Sequence, residues 1–211
     1  MNYIESVFMC LTAPLLFAVI GMHGRSKRLM IFLISGMAMS LLSAYISSFL
    51  AAAQGADVLH ASIEISPLVE EIMKFLPVLF FILVMEASEV AIADSVMMTA
   101  VGFATFENCC FILSSGAPQL AYVMVRGAAV GVMHIVTLVA LAKGMQLLKA
   151  YKAFSLAGIA GVLSLSVTGH GLYNLLVSKP GVSSYIGYVM PMLCAIVLYM
   201  INSKTERYGE K

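Results

Sequence analysis

Charge is what this chain has least of. Only 11% of its 211 residues are Asp, Glu, Lys or Arg, against 61% hydrophobic, and its mean hydropathy is +0.98. Charged residues make up about a quarter of an ordinary soluble domain, so a water-soluble fold is excluded. Long polar stretches are missing too, which leaves no soluble domain, long linker, low-complexity tract or visible repeat. Cysteine is scarce: Cys10, Cys109, Cys110 and Cys194 all fall inside apolar stretches, without CxxC spacing. That excludes a disulfide framework and predicts free buried thiols packing as small hydrophobes. An HExxH zinc motif is absent as well.

What is present is apolar length. A membrane span needs about 20 mostly apolar residues, and seven stretches qualify, roughly 3–22, 29–51, 66–85, 95–114, 120–142, 154–178 and 183–202. The expected fold is all-α, a polytopic transmembrane helix bundle of about seven spans forming one integral membrane domain over 1–211. The third and fourth stretches are less uniformly apolar because they carry glutamates.

The few charges are unevenly placed. Arg25, Lys27 and Arg28 follow the first span, Lys143, Lys149 and Lys152 flank the loop after the fifth, and Lys204, Arg207 and Lys211 end the chain. All nine fall on one side if all seven stretches cross, leaving Arg126 and Lys179 for the other. The positive-inside rule then puts the N-terminus outside and the C-terminus in the cytoplasm. Glu86, Glu89 and Asp94 make one cytoplasmic-side loop acidic, but acids contribute little to that rule. The first span carries Glu5 and has its basic residues after the apolar run, which is not the pattern of a cleavable signal. A multi-pass protein of a prokaryotic-type plasma membrane is expected, with lipid and membrane-associated protein as partners and no nucleic acid.

Four polar clusters interrupt or border these spans: Ser66-Pro67-Leu68-Val69-Glu70-Glu71-Ile72-Met73-Lys74, Phe103-Ala104-Thr105-Phe106-Glu107-Asn108, His134 in a Gly/Ala/Val run, and Gly169-His170-Gly171-Leu172-Tyr173-Asn174. Ionisable groups at bilayer depth cost roughly 2.5–3.5 kcal/mol each and are read by default as functional and facing one another. Topology tests that reading. At 1.5 Å per residue, Glu70 and Glu71 lie about 5–8 Å below the outer end of their helix, Glu107 about 10 Å, His134 about 20 Å, His170 about 12 Å and Asn174 about 6 Å. Four helices thus bring their polar residues to the outer half of the membrane.

Local spacing adds detail. Pro67 suits a first helical turn and Ser66 an N-cap, which would place both glutamates at a helix N-terminus. Glu70 is i,i+4 to Lys74 and Glu71 is i,i+3, so Lys74 can neutralise one acid while the other faces the site. His170 and Asn174 are i,i+4 on one face, and Gly169 and Gly171 would allow close helix approach there. Taken singly, a Glu–Lys pair is often a satisfied ion pair, His134 an interhelical hydrogen-bonding group, and Asn108 and Asn174 packing contacts. Glu107 has no cation nearby in its own helix and needs a proton, a metal or a distant partner. His23, Asp57, His60 and Glu64 read as loop or interface residues.

At these residues the chain resembles the PrsW family of intramembrane proteases, within the broader group that includes the CAAX-prenyl endopeptidases. The family pattern is a glutamate pair with a lysine three positions on, a Phe-led motif ending in Glu-Asn, an arginine eight residues before a histidine, and a late histidine followed four residues later by Asp or Asn. Here these are Glu70-Glu71-x-x-Lys74, Phe103-x-x-Phe106-Glu107-Asn108, Arg126 with His134, and His170 with Asn174, in order over about 66–178. The chain departs from the pattern with Val132-Met133 where Pro-Gly often precedes the first histidine, and with Asn174 where Asp is common.

The resemblance implies peptide-bond hydrolysis at or inside the membrane, near the outer face, with single-span regulatory proteins such as anti-sigma factors as substrates. That chemistry needs an activated water, oxyanion donors and a proton donor for the leaving amine. One of Glu70 and Glu71, with Glu71 preferred, is the expected base, supported by Lys74; His134 positions water; His170 and Asn174 donate to the oxyanion; Asn108 and Arg126 support. Zinc held by Glu107, His134 and His170 with water in the fourth place is the competing version, and the missing HExxH favours the metal-free one. Rival readings are an ion- or proton-coupled transporter and a catalytically idle scaffold. Against transport, the inner halves of the spans are nearly bare of polar groups.

Overall fold

The computed structural model describes residues 3–85, 88–115, 119–153 and 155–209, with residues 201–209 by backbone alone; Glu86 and Lys211, counted among the loop and tail charges above, lie outside them. The described chain is all helix: α1 (Tyr3–Gly21), α2 (Gly24–Gln54), a single turn α3 (Val58–His60) running through a π-helical stretch (Ala61–Ile65) into α4 (Ser66–Val84), then α5 (Glu89–Ser115), α6 (Leu120–Ala150), α7 (Leu156–Ser178) and α8 (Val182–Gly209). The polytopic bundle expected from composition is what forms.

By length and composition, six of these helices could cross a membrane among the described residues: α1, α2, α5, α6, α7 and α8 as far as Met200. The seventh expected span, α4, is left out because Glu70, Glu71 and Lys74 lie on it. Its outward face is nonetheless apolar: Leu68, Ile72, Leu76, Phe80 and Val84 recur every four residues and are all exposed, while Glu71 and Lys74 on the opposite face are fully buried. Its 19 residues reach about 28 Å, the thickness of a hydrocarbon core. Helices α2 and α6 run to 31 residues each, longer than the apolar stretches that announced them, because they continue past the lipid-matched part through Gly24–Arg28 and Lys143–Ala150.

The packing centre is the α2–α5 pair. A Cβ on Gly36 would sit 2.1 Å from the Thr99 carbonyl oxygen, and one on Gly102 would sit 2.0 Å from that of Leu33, so only glycine lets these two backbones touch. One apolar cluster joins Phe75, Val78 and Phe81 of α4 to Val96 and Ala100 of α5 and to Leu138, Leu141 and Met145 of α6. At one end Arg25 grips Asp94 through two contacts of 2.8 Å, with Arg28 3.5 Å away. The segment after α1 and the start of α5 therefore share one end of the bundle, as alternating spans require. The thiols differ from expectation: all four are free, but Cys10 and Cys194 are exposed on the bundle surface. A lipid-facing surface is as apolar as an interior, so hydropathy alone does not separate the two.

The helix entering the site begins earlier than Pro67 suggests. Asp57 is its cap, its side chain accepting from the His60 N–H at 2.7 Å. The chain then widens into the π stretch, where the Ser66 N–H reaches back to the Ala61 carbonyl. Pro67 has no N–H to continue that register, so the next carbonyl, that of Ser62, is left for another donor. The Asn174 amide supplies it at 2.8 Å. A Cβ on Gly171 would lie 2.7 Å from the Ile63 carbonyl oxygen, so α7 packs directly on this widened turn. Gly169 has open space around its Cβ position and does not share that role.

Candidate active site and metal centre

The four clusters converge. Lys74 and Glu71, one turn apart on α4, are both fully buried and meet at 2.6 Å. It is thus Glu71, not Glu70, that Lys74 neutralises. The Lys74 ammonium also lies 3.1 Å from the Thr137 hydroxyl, 2.9 Å from His134 Nδ1 and over the Phe103 ring. The same Glu71 oxygen that receives Lys74 accepts from His170 Nδ1 at 2.7 Å and from Thr137 at 3.2 Å. One carboxylate oxygen therefore gathers groups from α4, α6 and α7. Ser166 of α7 donates to the Thr137 backbone carbonyl at 3.1 Å and closes the back of the cluster.

With its Nδ1 on Glu71, His170 presents Nε2 to the other side, where Glu70 Oε2 lies 3.7 Å away. His134 is fully buried, its ring 5.2 Å from that of His170 and nearly perpendicular to it. Its Nε2 hydrogen-bonds Glu107. Arg126 stands 3.5 Å from the other Glu107 oxygen. The arginine is itself held by Asn108, which accepts from it at 2.8 Å and donates to the Gly127 carbonyl, and by the Phe111 ring beneath the guanidinium.

The residues expected at the site from sequence thus lie in or against one polar network, although Asn174 is turned to the π stretch and not to the histidines. Phe103, which heads the Phe-led motif, also belongs to that network, whereas Thr137 and Ser166 are members that sequence reasoning passed over. Thr137 had a signal, being three residues after His134 and so on its face of α6. Ser166 had none.

The arrangement suits a metal ion, though not through the set foreseen. One ligand atom each from Glu70, His134 and His170 lies within 4.8 Å of the others, whereas the expected oxygen was that of Glu107. Glu70 Oε2 is buried and has no hydrogen-bond partner among the described residues. A buried carboxylate oxygen left alone is costly, and a cation answers that cost. The donor set, two imidazoles and a carboxylate, is one used by catalytic zinc, and the Glu71 contact to His170 Nδ1 is the outer support that metal-binding imidazoles need. His134 carries a condition: an ammonium can only donate to its Nδ1, which puts the ring proton on Nε2, so a metal on Nε2 requires Lys74 to release Nδ1 and the ring proton to move there.

A bundle of membrane-length helices that gathers two buried histidines, one buried glutamate and two half-buried ones into one network has the design of an enzyme working within the membrane. The family model of PrsW family intramembrane metalloproteases matches residues 15–201, most of the chain, so the protein belongs to that family and is an endopeptidase. No curated protein and no solved structure matches it. The family's description as metalloproteases favours the metal version over the metal-free one.

Proposed function

We propose that the protein hydrolyses a peptide bond of a single-span or membrane-associated protein near the outer face of the bilayer, in a regulatory first cleavage of the kind that releases a membrane-bound anti-sigma factor. The observation that carries this reading is the convergence of Glu70, His134 and His170 on one buried point, with an unpartnered Glu70 oxygen facing the histidines. The uneven basic residues support a plasma-membrane topology with the N-terminus outside. In that topology the polar cluster lies in the outer half.

Glu70, His134 and His170 would hold the metal, most simply zinc. When bound, the ion makes its water acidic enough to lose a proton near neutral pH and polarises the carbonyl under attack. The chain's own residues do the rest. Glu71 fixes the His170 ring through Nδ1 and is itself engaged by Lys74 at 2.6 Å, so it acts as support and not as the base preferred from sequence. Glu107 takes the proton of the attacking water. Its side chain is 29% exposed, enough to meet water, and Arg126 stands 3.5 Å from one of its oxygens. As the C–N bond breaks, Glu107 returns that proton to the leaving amine. Asn108 holds Arg126, and Asn174 holds α7 against the π stretch so that His170 stays in register with Glu70.

The test is cleavage of a panel of single-span substrates by the purified full-length protein, alongside its metal content. Glu70→Gln is expected to lose both cleavage and most bound metal while remaining inserted, and a chelator is expected to do the same to wild type. A metal-free preparation that still cleaves, or a Glu70→Gln/Glu71→Gln form with full activity, would remove this reading and return the transporter and scaffold alternatives.

A further inference from the structure

One buried group is used by nothing described so far. Tyr173 is 2% exposed, yet its hydroxyl makes no hydrogen bond among the described residues. It lines a cavity of about 90 Å³ together with Val130, Arg126 and Glu107. That cavity adjoins the histidines on both helices: Tyr173 is three residues after His170 on α7, and Val130 is four residues before His134 on α6, each about one turn away. Glu107 belongs to both places, since it also bonds His134.

Three other donors close to the histidines are engaged. The Asn174 amide goes to Ser62, His170 Nδ1 to Glu71, and the Lys74 ammonium to Glu71, Thr137 and His134. Asn174 and His170 were the donors that the motif suggested for an oxyanion, so that role has no holder. Tyr173 still has a proton to share, in a space lined on one side by a cation.

We propose that the Tyr173 hydroxyl is the oxyanion donor, hydrogen-bonding the oxygen of the scissile carbonyl as it gains charge; this rests on the proteolytic reading above. As the water oxygen bonds to the carbonyl carbon, the C=O π pair moves onto that oxygen and the water proton passes to Glu107. Collapse re-forms the carbonyl, breaks the C–N bond and sends the proton to the amine. Tyr173 keeps its proton throughout, and the charge of Arg126, which lines the same cavity, favours the anion. A donor reserved for the transition state explains a hydroxyl left without a partner in the free protein.

The experiment compares full-length wild type, Tyr173→Phe and Glu70→Gln in proteoliposomes, measuring kcat and KM on one single-span substrate together with the thermal midpoint. Tyr173→Phe should lower kcat about 100- to 1,000-fold, the loss typical of one oxyanion donor, with KM nearly unchanged and a midpoint equal to or above wild type, because an unpaired buried hydroxyl has been deleted. A hydroxyl with a merely structural role cannot give that pair of results. Unchanged kcat, a rise in KM alone, or a lowered midpoint would each overturn the assignment. An inactive Glu70→Gln beside a fully active Tyr173→Phe removes only the donor, whereas an active Glu70→Gln removes the site on which it rests.

Discussion

Replacing Lys74 by Met keeps the length of the side chain and deletes its charge, which strands Glu71. Both groups are fully buried and their charged atoms are 2.6 Å apart. At an effective dielectric constant of 20 that separation corresponds to an attraction of about 6 kcal/mol. Much of this is offset by the cost of taking two ions out of water, so the pair's net worth against apolar residues is small. Removing one partner is a different matter, because the remaining charge stays buried, and about 3–5 kcal/mol is then lost. His170 and Thr137 still touch Glu71 and pull the figure toward the lower end. For a chain of this size each kcal/mol moves the thermal midpoint by about 2–4 °C, so Lys74→Met should unfold at least 6 °C below wild type in detergent micelles. Glu71→Gln/Lys74→Met removes both charges and should recover more than half of that loss. A Lys74→Met midpoint within 2 °C of wild type, or a double variant no better than the single one, would refute the view that Lys74 is there to compensate Glu71.

Other expectations follow from the backbone contacts and from topology. Gly36→Ala and Gly102→Ala must force α2 and α5 apart and should each cost about 1–3 kcal/mol, whereas Gly131→Ala, with nothing within 4 Å of its Cβ position, should be tolerated; equal midpoints for all three in a thermal melt would contradict the contact. Asn174→Asp places a carboxylate oxygen against the Ser62 carbonyl and should lower both midpoint and activity, although Asp is common at that place in the family pattern; a fully active, equally stable variant would show that the amide contact is dispensable. Reporter fusions after residues 25 and 148 should report cytoplasm and fusions near 57 and 179 the outside, and a cytoplasmic signal at 57 would overturn the depth argument.

Much of this molecule could be read from the chain, for reasons particular residues make plain. Apolar runs of about 20 residues betray membrane helices because a helix satisfies every backbone group within its own segment in lipid. Buried Glu, Lys and His betray a site because lipid has no place for them. Which acid does what could not be read. Glu70 and Glu71 are neighbours about 100° apart on one helix, and both are spaced to reach Lys74. The choice is made by α6 and α7, which bring Thr137 and His170 to Glu71 and leave Glu70 beside the His170 Nε2. That is a matter of helix rotation in three dimensions. Spacing along one helix does not contain it.

The same limit explains Pro67. As a residue type it predicts a helix start, since the first turn has no use for its N–H. Here the chain is already helical, capped at Asp57, and the missing N–H instead frees a carbonyl in the middle of a long helix. A widened turn with a spare acceptor needs a donor from outside, and π-helical turns are frequent at functional sites. Asn174 is that donor, Gly171 is the small residue that lets it approach, and His170 precedes them on the same helix. The irregularity is what locks α7 to α4 at the level where His170 must meet both glutamates. An ideal α-helix through Pro67 would instead free the carbonyl of Ile63, turned about 100° from that of Ser62, so the Asn174 amide would lose the acceptor that fixes the height of His170.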